Sequence, residues 1–178
     1  LRDFKKPLIV FTPKGLLRHP SCLSSMNELA KGGFEEIIND SEAPKQACRI
    51  LFCSGRIYYD LIEERKRRKI KDIAIVRIEQ LYPLDKERLK KIVKGYKVLQ
   101  ECFWVQDEPR NMGAWHFIRS FIHRSIPRGV SVQYVGRPRS ASPAAGSLSL
   151  HKKEYTQLMN QAFSKDQQEL YEMTDGMN

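Results

Sequence analysis

The feature that most constrains this chain is a rhythm. Short β-branched, aliphatic or aromatic runs at Arg49–Cys53, Asp72–Ile78, Leu99–Gln106 and Ser131–Val135 alternate with segments whose apolar residues recur at helical spacing. The residues after Arg49, Ile50-Leu51-Phe52-Cys53, are apolar without alternation, the pattern of a strand covered on both faces. Parallel neighbours need a crossover connection, so strand, helix, strand, helix repeated along a chain implies a mostly parallel sheet with helices on both sides. The fold class expected is therefore α/β, a three-layer, mostly parallel sheet in which an edge strand can run antiparallel.

The helical segments carry their own signals. Ile57, Tyr58, Leu61 and Ile62 form one apolar stripe after Ser54-Gly55. Leu89, Ile92 and Val93 form a second between Pro83 and Gly95, and Ala114, Phe117, Ile118, Phe121 and Ile122 a third between Gly113 and Ile126, closed by Pro127 and Gly129. A last helix is expected over 150–163, followed by a polar tail at 164–178. Ahead of this core, Leu8–Thr12 reads as a strand stopped by Pro13. The polar, Gly-containing stretch from Lys14 to Gln46 reads as a connector with one short helix around Leu23–Ala30 before Gly32-Gly33.

Composition narrows the class further. Apolar residues make up 41% of the 178 and recur along most of the chain, which argues against disorder despite a 29% charged fraction. The longest apolar runs, such as Leu8-Ile9-Val10-Phe11, fall far short of the ~20 residues a membrane helix needs, so no membrane partner is expected. The chain opens Leu1-Arg2-Asp3-Phe4-Lys5-Lys6, without Met and without a signal-peptide core, and this predicts a piece cut from a longer polypeptide. Cys22, Cys48, Cys53 and Cys102 are irregularly spaced with no C-x-x-C; they read as reduced thiols, with Cys53 and Cys102 inside apolar runs. His19, His116, His123 and His151 include no i, i+4 pair for a helical zinc site, and His116 and His123 stand too far apart for one ion.

Lys and Arg number 31 against 21 Asp and Glu, a net charge of +10. The run Glu63-Glu64-Arg65-Lys66-Arg67-Arg68-Lys69 is open to two readings, a phosphate-binding patch or a solvated helix end. Its place in the carboxyl-terminal half of an amphipathic helix favours the second, because cations there complement the helix dipole and pair with acids one turn earlier. Lys90, Lys91, Lys94 and Lys97 repeat the pattern, and no nucleic-acid motif accompanies the charge, so no nucleic-acid partner is expected.

Three loops could hold a ligand. Cys53-Ser54-Gly55 turns a strand into a helix, where backbone N–H groups can face an anion. Gly136-Arg137-Pro138-Arg139-Ser140-Ala141-Ser142-Pro143-Ala144-Ala145-Gly146 offers two arginines and two serines between glycines; it is either an anion loop or rigid packing at an interface. Asp107-Glu108-Pro109-Arg110-Asn111-Met112-Gly113-Ala114-Trp115 reads as a helix N-cap region, with Asp107 or Asn111 satisfying free amides and Trp115 tucked beneath. No catalytic nucleophile, base pair or G-x-S-x-G identifies a reaction, and neither G-x-G-x-x-G nor G-x-x-x-x-G-K-[ST] occurs.

Five blocks, in order, resemble a known family. They are Leu8-Ile9-Val10-Phe11-Thr12-Pro13-Lys14-Gly15-Leu16-Leu17-Arg18-His19-Pro20, Phe52-Cys53-Ser54-Gly55-Arg56-Ile57-Tyr58-Tyr59-Asp60-Leu61, Ile75-Val76-Arg77-Ile78-Glu79-Gln80-Leu81-Tyr82-Pro83, the stretch Trp104 to Trp115, and Tyr134 to Ala144. Together, across about residues 5–163, they resemble the carboxyl-terminal region of the thiamine-dependent first component of the 2-oxoglutarate dehydrogenase complex. The family's usual acid-acid pair in the fourth block stands here as Asp107-Glu108, and the related 2-oxoadipate dehydrogenases look similar over the same stretch.

The resemblance implies a parent enzyme that uses thiamine diphosphate and Mg²⁺ to decarboxylate 2-oxoglutarate and passes the succinyl group to a lipoyl arm. The cofactor then does the hard chemistry and the protein positions it. The family's Gly-Asp-Gly, its later Asn and its Glu against the aminopyrimidine are missing here, Thr174-Asp175-Gly176 being the nearest approach. No catalytic, cofactor-binding or metal-binding residue is therefore expected in the fragment, and no bound cofactor. The resemblance further implies that 1–20 is the trailing strand and exit loop of an upstream pyrimidine-binding domain, 21–46 a connector, and 47–163 a transketolase-type carboxyl-terminal domain that braces a dimer. Partners implied are the rest of the parent chain, a second subunit of a homodimer, the lipoyl-bearing succinyltransferase and dihydrolipoamide dehydrogenase. The compartment implied is the cytoplasm in a bacterium and the mitochondrial matrix in a eukaryote. Candidate interface or anion-binding residues are Arg18 and His19 at the domain junction and Asp107, Asn111, Arg137, Arg139 and Ser140 on the two loops. The readings carried beside this one are a basic nucleic-acid-binding module and a nucleotide or anion sensor built on Arg137, Arg139 and Ser140.

Overall fold

The computed structural model describes residues 3, 5–7, 9–44 and 46–164. The chain divides into two compact units, one ending at Phe34 and the other beginning at Glu35. The expected polar tail from residue 165 onward, with Thr174-Asp175-Gly176, lies outside the described residues.

The first unit holds a 3-10 turn, Lys14–Arg18, and the short helix α1, Met26–Lys31. Ser25 caps α1 in a capping box, accepting from the Glu28 N–H at 3.2 Å while the Glu28 carboxylate accepts from the Ser25 N–H at 2.6 Å. The helix therefore begins three residues later than its apolar spacing suggests. The strand expected at Leu8–Thr12 does not form over the described residues Ile9–Thr12. A strand needs a neighbour for its N–H and C=O groups. Here Ile9, Val10 and Phe11 are 76%, 70% and 95% exposed.

The second unit contains β1 (Ile37–Ile38), β2 (Arg49–Cys53), α2 (Ile57–Arg68), β3 (Ile73–Ile78), α3 (Lys86–Gly95), β4 (Glu101–Pro109), α4 (Trp115–His123), β5 (Val132–Arg137) and α5 (Leu148–Phe163). The five strands form one sheet in the order β1-β3-β2-β4-β5. The β2–β3, β2–β4 and β4–β5 pairs are parallel, whereas β1 pairs antiparallel with β3, Ile37 opposite Ile78. The α/β expectation, with its antiparallel edge, holds. The strand β1 itself lies in the stretch read as a connector; two residues carry no periodicity from which a strand can be read.

Alternation along the strands sorts the core into two layers. Ile50, Phe52, Ala74, Val76, Cys102 and Trp104 face Leu89 and Val93 of α3 and Ile118 and Ile122 of α4. Leu51, Cys53, Ile75, Phe103, Val105 and Val135 face Ile57 and Leu61 of α2 and Leu158, Met159 and Phe163 of α5. The thiols lie as their apolar runs suggest: Cys53 and Cys102 are buried, and burial pushes the Cys102 thiol up to about 12 and Cys53 higher still.

The charge run of α2 is only partly a solvated end. Glu64 accepts from Arg67 and Arg68, and Lys66 lies 3.4 Å from Glu42, all at or near the surface. Arg65, by contrast, is buried. Its guanidinium pairs with the buried Asp40 carboxylate and donates to the Ile73 carbonyl at 3.2 Å, while Asp40 Oδ2 also accepts from the Ile75 N–H at 2.9 Å. One carboxylate thus joins the β1 side, α2 and β3. Burying two charges is tolerated because each is paired and hydrogen-bonded, and the arrangement is sensitive to loss of either partner. Arg49 makes a second tie, pairing with Glu101 at 2.5 Å and donating to the Ser164 carbonyl at 2.6 Å, so the end of α5 is held against the start of β2.

Two outcomes follow. Asp40→Ala strands the Arg65 charge and should destabilise the chain by about 3–5 kcal/mol in urea unfolding; a change below about 1 kcal/mol contradicts the role given to this pair. The Arg67 and Arg68 guanidiniums hold the Glu64 carboxyl down to about 2 from an ordinary 4.5. A lowered carboxylate pKa contributes stability that is complete above the unfolded value and lost as pH falls toward the folded one. Glu64→Gln should therefore melt below the unsubstituted chain at pH 7, with the gap closing between about 4.5 and 2.

Candidate functional site

In an open α/β sheet the place to look for a ligand is the carboxyl edge, where the strand order reverses. Here β2 lies between β3 and β4, so the crossover from β2 runs to one side, to β3, and the next runs from β3 back past β2 to β4 on the other. The edge is built from the β2–α2 turn (Ser54-Gly55-Arg56), the end of β4, the 110–114 turn, and the loop from β5 to α5.

The end of β4 departs from the sequence reading. Asp107-Glu108-Pro109 continues the strand and is not a helix cap. Between the paired positions Val105↔Val135 and Pro109↔Arg137, β4 advances four residues while β5 advances two. Such a bulge kinks a strand and re-aims its side chains. It places Gln106, 3% exposed, at the centre of the edge. The Gln106 Nε2 donates toward the carbonyls of Met112 at 2.8 Å and of Glu108 and Pro109 at 3.2 Å. Its Oε1 accepts from Trp104 Nε1 at 2.8 Å and from the Trp115 N–H at 3.1 Å. The first amide of α4 is thus satisfied by Gln106, and neither Asp107 nor Asn111 caps the helix; its N-cap, Ala114, has no side chain able to do so. Trp115 is buried beneath, as expected. Gly113 completes the turn at φ +65°, and a Cβ there would lie 2.7 Å from Gln106 Nε2.

Four of the candidate residues join this framework, each engaged within the protein. Asp107 Oδ2 lies 3.2 Å from Arg56, which also pairs with Asp60 at 3.2 Å, so the β2–α2 turn receives its counter-charge from the chain itself. Burial raises the Asp60 carboxyl above its ordinary value, against the pull of Arg56. Asn111 and Ser140 are paired backbone to amide in both directions, Nδ2 to the Ser140 carbonyl at 2.9 Å and the Ser140 N–H to Oδ1 at 3.0 Å. Arg137 donates from Nε to the Asp107 carbonyl at 2.6 Å and from a terminal nitrogen to the Pro143 carbonyl, and lies 3.5 Å from Glu154. The Tyr134 hydroxyl is shared between the carbonyls of Glu108 at 3.1 Å and Arg137 at 2.9 Å, and burial raises its pKa.

Arg139 is exposed on the same loop, beside but outside this framework. Arg18 and His19 belong to the first unit, Arg18 exposed at the end of the 3-10 turn and His19 accepting from the Ser21 N–H through Nδ1 at 3.2 Å. An open cavity of about 400 Å³ lies between Arg137, Pro143, Ala144, Ser147, Leu148 and His151. Among the described residues no three of His, Cys, Asp and Glu converge as metal ligands, and no helix is long and apolar enough to cross a membrane.

Gln106 and Tyr134, the residues on which the edge depends, stand among ordinary strand residues in the sequence. The weak signal for Gln106 is a single amide after four apolar residues at the end of a strand.

The arrangement defines a class: an open, mostly parallel α/β domain whose carboxyl edge is filled by its own amides, guanidiniums and carbonyls. Residues 23–163 match the family described as 2-oxoglutarate dehydrogenase C-terminal, and the chain belongs to that family. It is 45% identical over 166 residues to the 2-oxoglutarate dehydrogenase E1 component of Haemophilus influenzae and 42% identical over 167 residues to that of Cupriavidus necator. These alignments cover 92% and 93% of this chain. It is 40% identical over 168 residues to a probable 2-oxoadipate dehydrogenase complex component E1 homolog of Dictyostelium discoideum, with 92% of this chain covered. The chain spans 18–19% of the length of these relatives.

The edge makes one firm expectation. Gly113→Ala forces both an unfavourable φ and a clash with Gln106, and should destabilise the chain by about 1–3 kcal/mol. With Gln106→Ala already present the clash is gone, so the double variant should be less destabilised than the sum of the two single variants, measured as a thermodynamic cycle in urea. Strict additivity would show that the two residues are not coupled.

Proposed function

We propose that the chain is the carboxyl-terminal structural and assembly domain of the first component of a 2-oxoglutarate dehydrogenase complex. The observation that carries this reading is the match of residues 23–163 to the carboxyl-terminal family together with the small fraction of each relative that the chain spans. In this reading the parent enzyme decarboxylates 2-oxoglutarate with thiamine diphosphate and Mg²⁺ and transfers the succinyl group to a lipoyl arm. The domain contributes to the dimer that houses the chemistry. Oxoadipate is the alternative substrate, favoured by the similarity to the Dictyostelium protein.

The donor set of the described residues does not suit a metal-bound diphosphate. The carboxylates of the edge face guanidiniums, Asp60 and Asp107 on Arg56 and Glu154 on Arg137, and do not converge on a common point. The Gln106 donors are turned onto carbonyls of its own turn. No catalytic step is assigned to this chain on that basis. Residues 1–20 are read as the end of the preceding domain, and the exposure of Ile9, Val10 and Phe11 supports that reading. The same reading assigns as partners the rest of the parent chain, a second subunit, the lipoyl-bearing succinyltransferase and dihydrolipoamide dehydrogenase. It assigns the cytoplasm of a bacterium or the mitochondrial matrix of a eukaryote as the compartment.

The test is an activity assay. The purified chain, supplied with thiamine diphosphate, Mg²⁺, 2-oxoglutarate and an artificial electron acceptor, should reduce the acceptor no faster than a protein-free blank. The chain extended upstream to the full reading frame should turn over. Turnover by the 178-residue chain alone overturns the structural role.

A further inference from the structure

Charge is unevenly placed in the second unit. Between Glu108 and Glu154 the chain carries no Asp or Glu but eight Lys or Arg. This acid-free stretch includes the whole of α4. One side of α4 presents Phe117, Phe121 and Arg124, spaced four and three residues apart so that they share a stripe. The Phe117 and Phe121 rings are 5.1 Å apart at 47°, with Phe117 40% exposed and Phe121 half-buried. Two cations from different helices converge on the same ring: Lys86 at the head of α3 lies 5.1 Å from the Phe121 centroid and Arg124 lies 5.3 Å from it. Neither has a carboxylate within ion-pair distance among the described residues; of the two acids flanking Lys86, Asp85 accepts from the Arg88 N–H at 2.9 Å and Glu87 is taken by Lys90 at 2.9 Å.

Six arginines of this unit are handled differently. Arg49, Arg56, Arg65, Arg67, Arg68 and Arg137 each meet a carboxylate within the chain. Lys86 and Arg124 instead hold like charges around an aromatic ring at the surface. The ring faces attract the cations, but a cation–π contact does not neutralise them. Such a surface is complementary to a partner that brings carboxylates to the two cations and a small apolar group to Phe117.

We propose that the Phe117–Phe121–Arg124 side of α4, with Lys86 of α3, is a docking surface for an acidic protein segment. The occupant is a peptide rather than a nucleic acid because the platform is wrong for bases. Single-strand binding uses open aromatic faces along a groove. Here Phe121 is half-buried and approached by two cations, and the cavities at the Arg137 loop and at the start of β2 lie elsewhere. The inference is independent of the reaction assigned to the parent enzyme, since it rests on α3 and α4 alone.

The experiment compares two variants of equal charge change. Lys86→Glu with Arg124→Gln alters the patch, and Lys152→Glu with Lys153→Gln alters exposed positions on α5, which packs on the opposite face of the sheet. Both substituted sites on the patch are at helix ends where the new residues are compatible, Glu at the first turn and a neutral amide at the last. Binding of a fluorescein-labelled peptide of alternating Glu and Leu is followed by anisotropy in about 50 mM salt, where surface charges are only partly screened. The patch variant should weaken binding about fivefold or more, the sum of two surface pairs, while the α5 variant stays within about twofold of the unsubstituted chain. Equal losses in the two variants would show a response to net charge alone and overturn the proposal. So would the absence of binding by the unsubstituted chain, or tighter binding of an oligothymidylate of equal charge. Thermal melting of both variants checks that each is folded; should the patch variant melt early, Lys86→Gln alone, at an exposed first-turn position, must still show a selective loss for the proposal to stand.

Discussion

The buried carboxamide of Gln106 is the constraint on which the carboxyl edge of this domain depends. A parallel sheet presents strand ends and helix N-termini at that edge, and their free amides and carbonyls must find partners once the surrounding loops exclude water. Gln106 supplies two lone pairs and two N–H donors from one side chain, and all are used: indole and helix amide on the oxygen, turn carbonyls on the nitrogen. The bulge in β4 puts it there, Gly113 makes room for it, and Tyr134 and Arg137 gather the neighbouring carbonyls. The geometry that in other open α/β sheets receives a ligand is here satisfied from within.

At the opposite side of the sheet the same logic is carried by charge. Asp40 and Arg49 each join segments far apart in sequence, β1 to α2 and β3 in one case, β2 to β4 and the end of α5 in the other. Neither pair is a strong source of net stability, since desolvation offsets most of the attraction. Their effect is to fix one arrangement, because any other register leaves a buried charge unpaired.

The layer order of the fold was legible in the sequence because period and apolarity are local. Ile50-Leu51-Phe52-Cys53 reads as a doubly covered strand and is one, and the stripe Ile57, Leu61 faces the core as its spacing requires. What was not legible depends on distant partners. Leu8–Thr12 has the composition of a strand, but pairing is decided by a neighbour, and the described residues Ile9–Thr12 form no strand. Arg65 sits in a run that looks solvated, and only the arrival of Asp40 from a segment that reads as connector makes its burial tolerable. The loop residues Asp107, Asn111, Arg137 and Ser140 were found by composition, yet their roles were not, since Asn111 and Ser140 stand 29 residues apart and meet only when β4 and β5 pair. The family match rests on ordered blocks, which survive where no single catalytic motif exists to be read.

The function proposed above requires that thiamine diphosphate be held by parts of the enzyme other than this chain. Calorimetric titration of the purified 178-residue chain with thiamine diphosphate in the presence of Mg²⁺ tests it directly. The account predicts heats indistinguishable from dilution and an unchanged melting temperature at saturating cofactor. A saturable isotherm with micromolar affinity, accompanied by a rise in melting temperature, would contradict it.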